Sequence, residues 1–333
     1  MRAVVVQRPG VVEVVDRPIP APDKGQVRLR VAAAGICGTD RHIVQGEFPA
    51  TLPRVLGHEV VGIIDDPGDT PFRGGEHVVV DPNMPCHDCE QCRASRVHLC
   101  TNRDAIGINW DGGFEEYLVV PAAQLYHLGS TVPIQAGVLA EPLSCCIHGI
   151  DQLRLDPSMN VAIVGLGPIG LLLVMLLQMN GIRQIIAIDS NEKRRQQAAR
   201  LGVTAYAWEN AAVQQMDRTV QVVIDAVGLG RVLEWGLQAL TRGGQLLVFG
   251  VARPDDVGRI SPYLLYEKEL TIVSAHTNPF TMQRAVHALH TDAIDVMSLL
   301  TDPIRIEDMP EALTIPPQGL KSYLVFKEAL QCR

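Results

Sequence analysis

Four of the eight cysteines lie within 15 residues, in the segment MPCHDCEQCRASRVHLC. Their spacing is C-x2-C-x2-C-x7-C, formed by Cys86, Cys89, Cys92 and Cys100. Four thiolates suit a closed tetrahedral zinc site, which has no open position for a substrate and therefore serves a structural purpose. An iron–sulfur cluster also takes four cysteines, so the spacing alone leaves both kinds of metal centre open.

A second set of donors could form an open metal site. Cys37 lies in GICGTDRH, and His58 and Glu59 lie in LGHE. One thiolate, one imidazole and one carboxylate are ligands of the type found in catalytic zinc sites, which keep a fourth position open. Glu141, in LAEPLSCC, offers another carboxylate, although an acid in the first turn of a helix is also favoured by the helix dipole.

A glycine-rich loop indicates a dinucleotide. VAIVGLGPIG contains Gly165, Gly167 and Gly170 as G-x-G-x-x-G, after an apolar strand and before a helix. The first glycine permits the turn, the second lets the pyrophosphate approach, and the third lets helix and strand pack closely. Asp189 ends the next predicted strand, where an acid binds the ribose hydroxyls and favours NAD over NADP. Arg194 lies nearby and could help to accept a 2′-phosphate, so NADP stays open.

The elements that must position these residues change character near residue 139. Up to residue 130 the chain has many short valine-rich segments bounded by Pro, Gly and Asp, which predicts a mostly antiparallel β domain. Strands then alternate with helices, which predicts right-handed βαβ units and a parallel sheet. We predict three parts, namely 1–145 with a metal lobe at 86–100, 146–280 as the dinucleotide-binding domain, and 281–333 as a return to the first part.

The run from Pro157 to Ile182 carries no charge and is long enough to span a bilayer, which needs about 20 apolar residues. Three glycines and Pro168 lie within its first 14 residues and argue against one continuous helix. We therefore predict a buried parallel strand, a phosphate-binding turn and a buried helix, because such strands are apolar throughout.

The composition excludes several classes of protein. Of 333 residues, 47% are hydrophobic and 20% are charged, which argues against disorder. The 29 basic and 37 acidic residues give a net charge of −8, so nucleic acid and anionic membranes are not expected partners. The N-terminus lacks a signal-peptide core, which predicts a cytoplasmic protein whose cysteine cluster binds metal rather than forming disulfides.

The order of GICGTDRH, GHEVVG, the four-cysteine lobe, EPLSCCIHG and VGLGPIG resembles that of the zinc-dependent medium-chain dehydrogenases over nearly the whole chain. The resemblance is strongest to the sorbitol (polyol) and threonine dehydrogenase branch, in which a Glu matching Glu141 replaces a second Cys. It implies a GroES-like, mostly β catalytic domain and a Rossmann domain with a doubly wound parallel sheet, giving an α/β protein.

The resemblance also implies roles for individual residues. Cys37, His58 and either Glu59 or Glu141 would hold a catalytic zinc, the two carboxylates exchanging between direct and water-mediated contact. Thr39 would accept the proton of the substrate hydroxyl, and the nicotinamide ribose and His42 would pass it to solvent. The residues expected to contact the cofactor are Gly165, Gly167, Pro168, Ile169, Gly170, Asp189 and Arg194.

The expected reaction is reversible hydride transfer between a secondary alcohol of a polyol or sugar-derived substrate and NAD, in a homodimer or homotetramer. Hexonate and L-threonine dehydrogenases share the pattern, and His276 stands near a position where many polyol dehydrogenases carry an Arg. A non-catalytic redox sensor would not need Thr39 and His42, and a zinc-free quinone reductase would usually lack the cysteine lobe. Phe48, Trp110 and Phe114 could line the substrate pocket or belong to the core.

Overall fold

A computed structural model describes residues 1–291, 294–317 and 319–327. They form two compact units, one made of residues 1–144 and the described residues from 278 onward, the other of residues 145–277. The predicted return segment, 281–333, includes residues 292, 293, 318 and 328–333, which lie outside the described residues.

The first unit begins with short strands, as the valine-rich pattern predicts. They are β1 (Arg2–Arg8), β2 (Val11–Asp16), β3 (Gln26–Gly35), β4 (Arg54–Val55), β5 (Glu59–Asp66), β6 (His77–Val80), β7 (Asn83–Met84), β8 (Asp104–Ala105), β9 (Tyr117–Pro121) and β10 (Leu125–His127). The helices in this part are α1 (Gly38–Gln45), α2 (Glu90–Arg93) and α3 (Ala140–Asp151), the last of which runs on into the second unit.

The second unit alternates strands and helices. Its strands are β11 (Asn160–Val164), β12 (Gln184–Ile188), β13 (Thr204–Tyr206), β14 (Val220–Asp225), β15 (Leu240–Val248) and β16 (Thr271–Ser274). Its helices are α4 (Pro168–Met179), α5 (Glu192–Arg200), α6 (Ala211–Gln214), α7 (Gly230–Ala239) and α8 (Pro262–Lys268). The six strands form one sheet in the order β13-β12-β11-β14-β15-β16, and every pair is parallel.

After the second unit the chain returns to the first. This part contains α9 (Met282–Leu289), β17 (Leu300–Ile304), α10 (Met309–Thr314) and β18 (Lys321–Val325). β18 lies antiparallel to β3 and parallel to β17, within a sheet of order β10-β6-β5-β3-β18-β17 to which β9 is added by pairing with β3. Strand β3 therefore lies at the centre of the first unit, with partners that are close and distant in sequence.

The charge-free run from Pro157 to Ile182 resolves into two elements. Strand β11 is buried from Val161 onward, and helix α4 is buried from Gly170 to Leu177. Because both elements pack inside the second unit, their apolar character reflects burial in a protein core. Among the described residues, no helix is both long and apolar enough to cross a membrane. The mostly β unit and the parallel sheet confirm the expected α/β fold class.

Candidate active site

Cys37 lies between β3 and α1, and Asp40 holds it there. The buried Asp40 carboxylate accepts hydrogen bonds from the backbone N–H of Cys37 at 2.7 Å and from that of Gly57 at 3.3 Å. The same side chain thus closes the first turn of α1 and connects it to the loop that precedes His58. Sequence reasoning missed Asp40, although an acid three residues after Cys37 is a recognisable helix-start signal.

Three ligand atoms converge at this junction. One from each of Cys37, His58 and Glu59 lies within 4.8 Å of the others. His58 is 7% exposed and Glu59 is 2% exposed. Gly35 pairs with Glu59 across β3 and β5, and a Cβ atom at Gly35 would lie 1.9 Å from the Glu59 Oε2 atom. A residue without a side chain is therefore required at position 35 for the carboxylate to reach the site.

Lys321 places a buried positive charge against Glu59. Its buried ammonium group bonds Oε1 of Glu59 at 2.5 Å and also contacts Oε2. The backbone N–H of Ile36 bonds the carbonyl of Ser322, which brings the start of β18 beside the end of β3. Burial acts to lower the pKa of Lys321, but Glu59, Cys37 and Asp40 outweigh it and raise the pKa. Lys321 was also missed, since nothing in its local sequence indicates a partner 262 residues away.

His58 is surrounded by negative charge. Its Nδ1 atom is buried, has no hydrogen-bond partner within the described part of the chain and lies 3.6 Å from Oδ1 of Asp40. Burial acts to lower the pKa of His58, but Asp40 and Cys37 outweigh it and raise the pKa well above its usual value. A partly buried thiol with a buried imidazole and a buried carboxylate, and a further carboxylate behind them, fits a divalent cation such as zinc. Glu141, in the first turn of α3, is not a member of this group of ligand atoms.

The two residues of the expected proton path lie on α1. The Thr39 hydroxyl is 3.8 Å from the Cys37 sulfur, which places it at the edge of the donor set. His42 lies one turn later, and its side chain is 47% exposed. Its Nδ1 atom is 2.7 Å from an oxygen of Glu47.

The four cysteines of the 86–100 lobe also converge. Their sulfur atoms all lie within 4.8 Å of one another, with Cys86 and Cys100 at 3.4 Å and Cys89 and Cys100 at 3.9 Å. Tetrahedral bonds of about 2.3 Å to zinc imply sulfur separations of about 3.8 Å, so the lobe fits this ion. Backbone N–H groups of Cys92 and Thr101 lower the pKa of Cys89 to about 6, which favours the thiolate that binds metal. His87 and His98 are not members of the group.

In the second unit the glycine loop has the geometry that a dinucleotide requires. Gly165 has a φ of 96°, and a Cβ atom at Gly170 would lie 1.8 Å from the Gly165 carbonyl oxygen. A Cβ atom at Gly167 would meet no atom of the described residues within 4 Å, so its backbone faces open space at the start of α4, which begins with Pro168 and Ile169. An open backbone at a helix N-terminus suits a phosphate group.

A cavity of about 340 Å³ adjoins this loop. It lies where the sheet order reverses between β11 and β14, the usual nucleotide position in such sheets. Asp189 lines it and accepts hydrogen bonds from the backbone N–H groups of Leu166 and Asn191, both at 2.7 Å. Arg194 lines it too, 3.7 Å from the Asp189 carboxylate. The remaining wall includes Trp208 and Arg231, whose guanidinium lies 5.7 Å from the Trp208 ring centroid; sequence reasoning missed this pair.

The three aromatic residues considered for the substrate pocket differ in environment. Phe114 is fully buried in the core of the first unit, whereas Phe48 and Trp110 are each 38% exposed. Trp110 lines a cavity of about 590 Å³ together with Arg17 and Glu115. Among the described residues that line this cavity there is no member of the Cys37–His58–Glu59 set, so its size does not make it the catalytic pocket.

Comparison with known proteins agrees with this geometry. Residues 23–130 match the alcohol dehydrogenase GroES-like domain, and residues 168–291 match the zinc-binding dehydrogenase family. A D-altritol 5-dehydrogenase of Agrobacterium fabrum is 31% identical over 95% of this chain and 96% of that protein.

Two solved structures are also similar. One, described as a zinc-binding dehydrogenase from Sinorhizobium meliloti and bound to NADP, has a TM-score of 0.94 and 33% identity, covering 98% of this chain and 99% of that one. The other, an alcohol dehydrogenase from Escherichia coli complexed with NADH, has a TM-score of 0.91 and 27% identity with the same coverage.

Proposed function

We propose, from the premise that this chain belongs to the zinc-binding alcohol dehydrogenase family with a GroES-like domain, that it oxidises a secondary alcohol of a polyol and reduces NAD. The observation that carries the proposal is the convergent Cys37–His58–Glu59 set, in which His58 and Glu59 are buried, with the Thr39 hydroxyl at its edge. The likeness to a D-altritol 5-dehydrogenase supports a polyol as the substrate.

Cys37, His58 and Glu59 would hold the catalytic zinc, and the 86–100 lobe would hold a structural one. When bound, the catalytic ion supplies Lewis-acid polarisation of the substrate hydroxyl, and the nicotinamide accepts the hydride. Asp40 orients the His58 ring from behind, as carboxylates do for metal-bound histidines. Glu141 is the alternative carboxylate. Zinc content and kcat of Glu59→Gln and Glu141→Gln decide between the two, since only loss of the ligating residue lowers both.

The proton of the alcohol needs a route out of the site. Thr39 stands next to the metal set and can accept this proton while its own hydroxyl proton moves on. His42 is half exposed and can deliver a proton to solvent. These two residues would therefore connect the site with bulk water.

NAD is the proposed cofactor because Asp189 lies in the nucleotide cavity, where a carboxylate favours ribose hydroxyls and repels a 2′-phosphate. Arg194 would offset part of this repulsion. One of the two similar structures is bound to NADP and the other to NADH, so the preference of this chain needs a direct test. Asp189→Ser should lower kcat/KM with NAD and raise it with NADP.

We also propose a homodimer or homotetramer located in the cytoplasm. Strand β16 at the sheet edge is largely exposed, and Tyr263 and Tyr266 of α8 are 73% and 84% exposed. Exposed apolar surface of this kind supports self-association. The cysteine lobe needs reduced thiols, which supports a reducing compartment. Mass measurement in solution tests the assembly.

The deciding experiment is a panel of sugar alcohols, hexonates and L-threonine with zinc-loaded enzyme, followed by the absorbance of reduced nicotinamide with NAD and with NADP. We expect the highest kcat/KM for a sugar alcohol with NAD. A preference for a hexonate or for L-threonine would replace the substrate and keep the reaction. Binding of NADH without any turnover would instead favour a redox sensor, and zinc-free protein with quinone reductase activity would overturn the proposal.

A further inference from the structure

The C-terminal end of α1 turns the chain back onto His42. Gly46 follows the helix with a φ of 78°, a left-handed conformation that glycine adopts without strain. The next backbone N–H, that of Glu47, bonds the carbonyl of His42 at 2.8 Å. The backbone therefore places Glu47 over the last turn of the helix, beside the His42 ring.

The side chains of the two residues complete the contact. Nδ1 of His42 and Oε2 of Glu47 are 2.7 Å apart, a normal distance for a hydrogen bond to a charged group. An ionised carboxylate only accepts hydrogen bonds, so Nδ1 must carry the proton. The neutral ring then presents an unprotonated Nε2 atom, which is the nitrogen that can take up a proton.

The surroundings of this turn keep it in place. The backbone N–H of Gly10 bonds the carbonyl of Val44 at 2.7 Å, which attaches the end of α1 to the turn between β1 and β2. A Cβ atom at Gly46 would lie 3.3 Å from the Pro9 ring, so the approach leaves little room for another residue. Most exposed ion pairs contribute little to stability. Here the backbone hydrogen bond from Glu47 to His42 already fixes the two residues next to each other, so their side chains lose less freedom when they pair.

We propose that Glu47 is a positioning residue that holds His42 in the tautomer with a proton-accepting Nε2. The inference rests on the proposed function, in which His42 transfers the proton of the alcohol to solvent. In this step Nε2 gains a proton from the Thr39 side, and the ring becomes an imidazolium beside the Glu47 carboxylate. Loss of the Nε2 proton to water restores the neutral ring with its proton on Nδ1. In a catalytic triad, a carboxylate likewise holds the histidine in one tautomer and stabilises the imidazolium ion that forms.

The test uses zinc-loaded full-length protein labelled with ¹⁵N-histidine. The His42 signal is assigned with His42→Gln, and its tautomer is read from the two ring nitrogen shifts at a pH where the ring is neutral. Glu47→Ala removes the acceptor, and the isosteric Glu47→Gln can either accept or donate. Glu13→Ala removes an exposed carboxylate that bonds Gln7 and serves as the matched control.

We expect the Nδ1–H form in the wild type and in Glu13→Ala, and a mixture of tautomers in both Glu47 variants. The value of kcat should fall about fivefold in Glu47→Ala and less in Glu47→Gln, while KM should change little. The loss is only part of the roughly 10²–10⁴-fold that proton transfer contributes to catalysis, because His42 itself remains. An unchanged tautomer, or a changed tautomer with wild-type kcat, would overturn the role of Glu47. A wild type without dehydrogenase activity would instead overturn the proposed function, whereas the tautomer shift would still be measurable.

Discussion

The four-cysteine lobe takes all its donors from residues 86–100, whereas the second set joins Cys37 to His58 and Glu59 and depends on Lys321 for its charge balance. In the lobe, backbone N–H groups of neighbouring residues stabilise a thiolate, as the lowered pKa of Cys89 shows. In the second set, charged side chains lie against the donors instead, since Lys321 contacts Glu59 and Asp40 lies 3.6 Å from Nδ1 of His58. A short segment can thus supply every donor of the closed site, whereas the open set takes its donors and its compensating charge from segments that are distant in sequence.

The first way to test this contrast is to remove a donor from the open set. His58→Ala should lower kcat about a thousandfold, since several kcal/mol of charge stabilisation in the transition state depend on the ion. Zinc content should fall from two ions to one per chain with little loss of secondary structure. His127→Ala, at an exposed histidine, is the control. A kcat near that of the wild type would show that this set is not catalytic.

Removing a donor from the lobe should act on stability instead. Cys100→Ala should lower Tm by roughly 10 °C, because metal binding at a closed site is part of the folding free energy. The protein that remains folded should keep most of its kcat. Cys145→Ala serves as the control, since Cys145 belongs to neither donor set. Equal losses of kcat in Cys100→Ala and His58→Ala would remove the distinction between the two sites.

The role of Lys321 can be separated from that of the metal. Lys321→Met leaves Glu59 buried without its cation and should lower the free energy of unfolding by about 3 kcal/mol in zinc-free protein. With zinc bound the loss should be smaller, because the ion then offsets the negative charge. Urea unfolding with and without zinc measures both values, and Lys24→Met at an exposed lysine is the control. An equal loss in both states would contradict the charge-balance interpretation.

Glu115 shows what a buried carboxylate costs without such a lysine. Burial, with a contribution from Asp111, raises the pKa of Glu115 to about 8, although Arg17 lies 3.5 Å away. The unfolded chain ionises this group near its ordinary value and the folded protein only near 8, so stability falls as pH rises through this window. Glu115→Gln should therefore be more stable than the wild type by about 4 kcal/mol at pH 8 and by less than about 1 kcal/mol at pH 5. Glu13→Gln is the control, and an equal pH dependence of unfolding in the wild type and Glu115→Gln would refute the assignment.

Several features of the molecule could be predicted because their causes are local. The four-cysteine spacing, the glycine loop and the strand–helix alternation each depend on residues that are neighbours in the chain. Gly170 illustrates this, because its close approach to Gly165 follows from the local path of a six-residue segment. The glycines and the proline of the charge-free run likewise predict a strand followed by a helix, and the fold contains both.

The amino-acid sequence by itself determined the fold class, the closed cysteine lobe and the types of residue available for an open metal site. Only the tertiary structure decided that Gly35 makes room for Glu59, that Asp40 stands behind His58, and that Lys321 balances the charge. The physical reason is that burying a charge is costly unless it is compensated, and the compensating group can come from any segment that the fold brings near. Lys321 enters the site because β18 pairs with β3, a contact that no local pattern encodes.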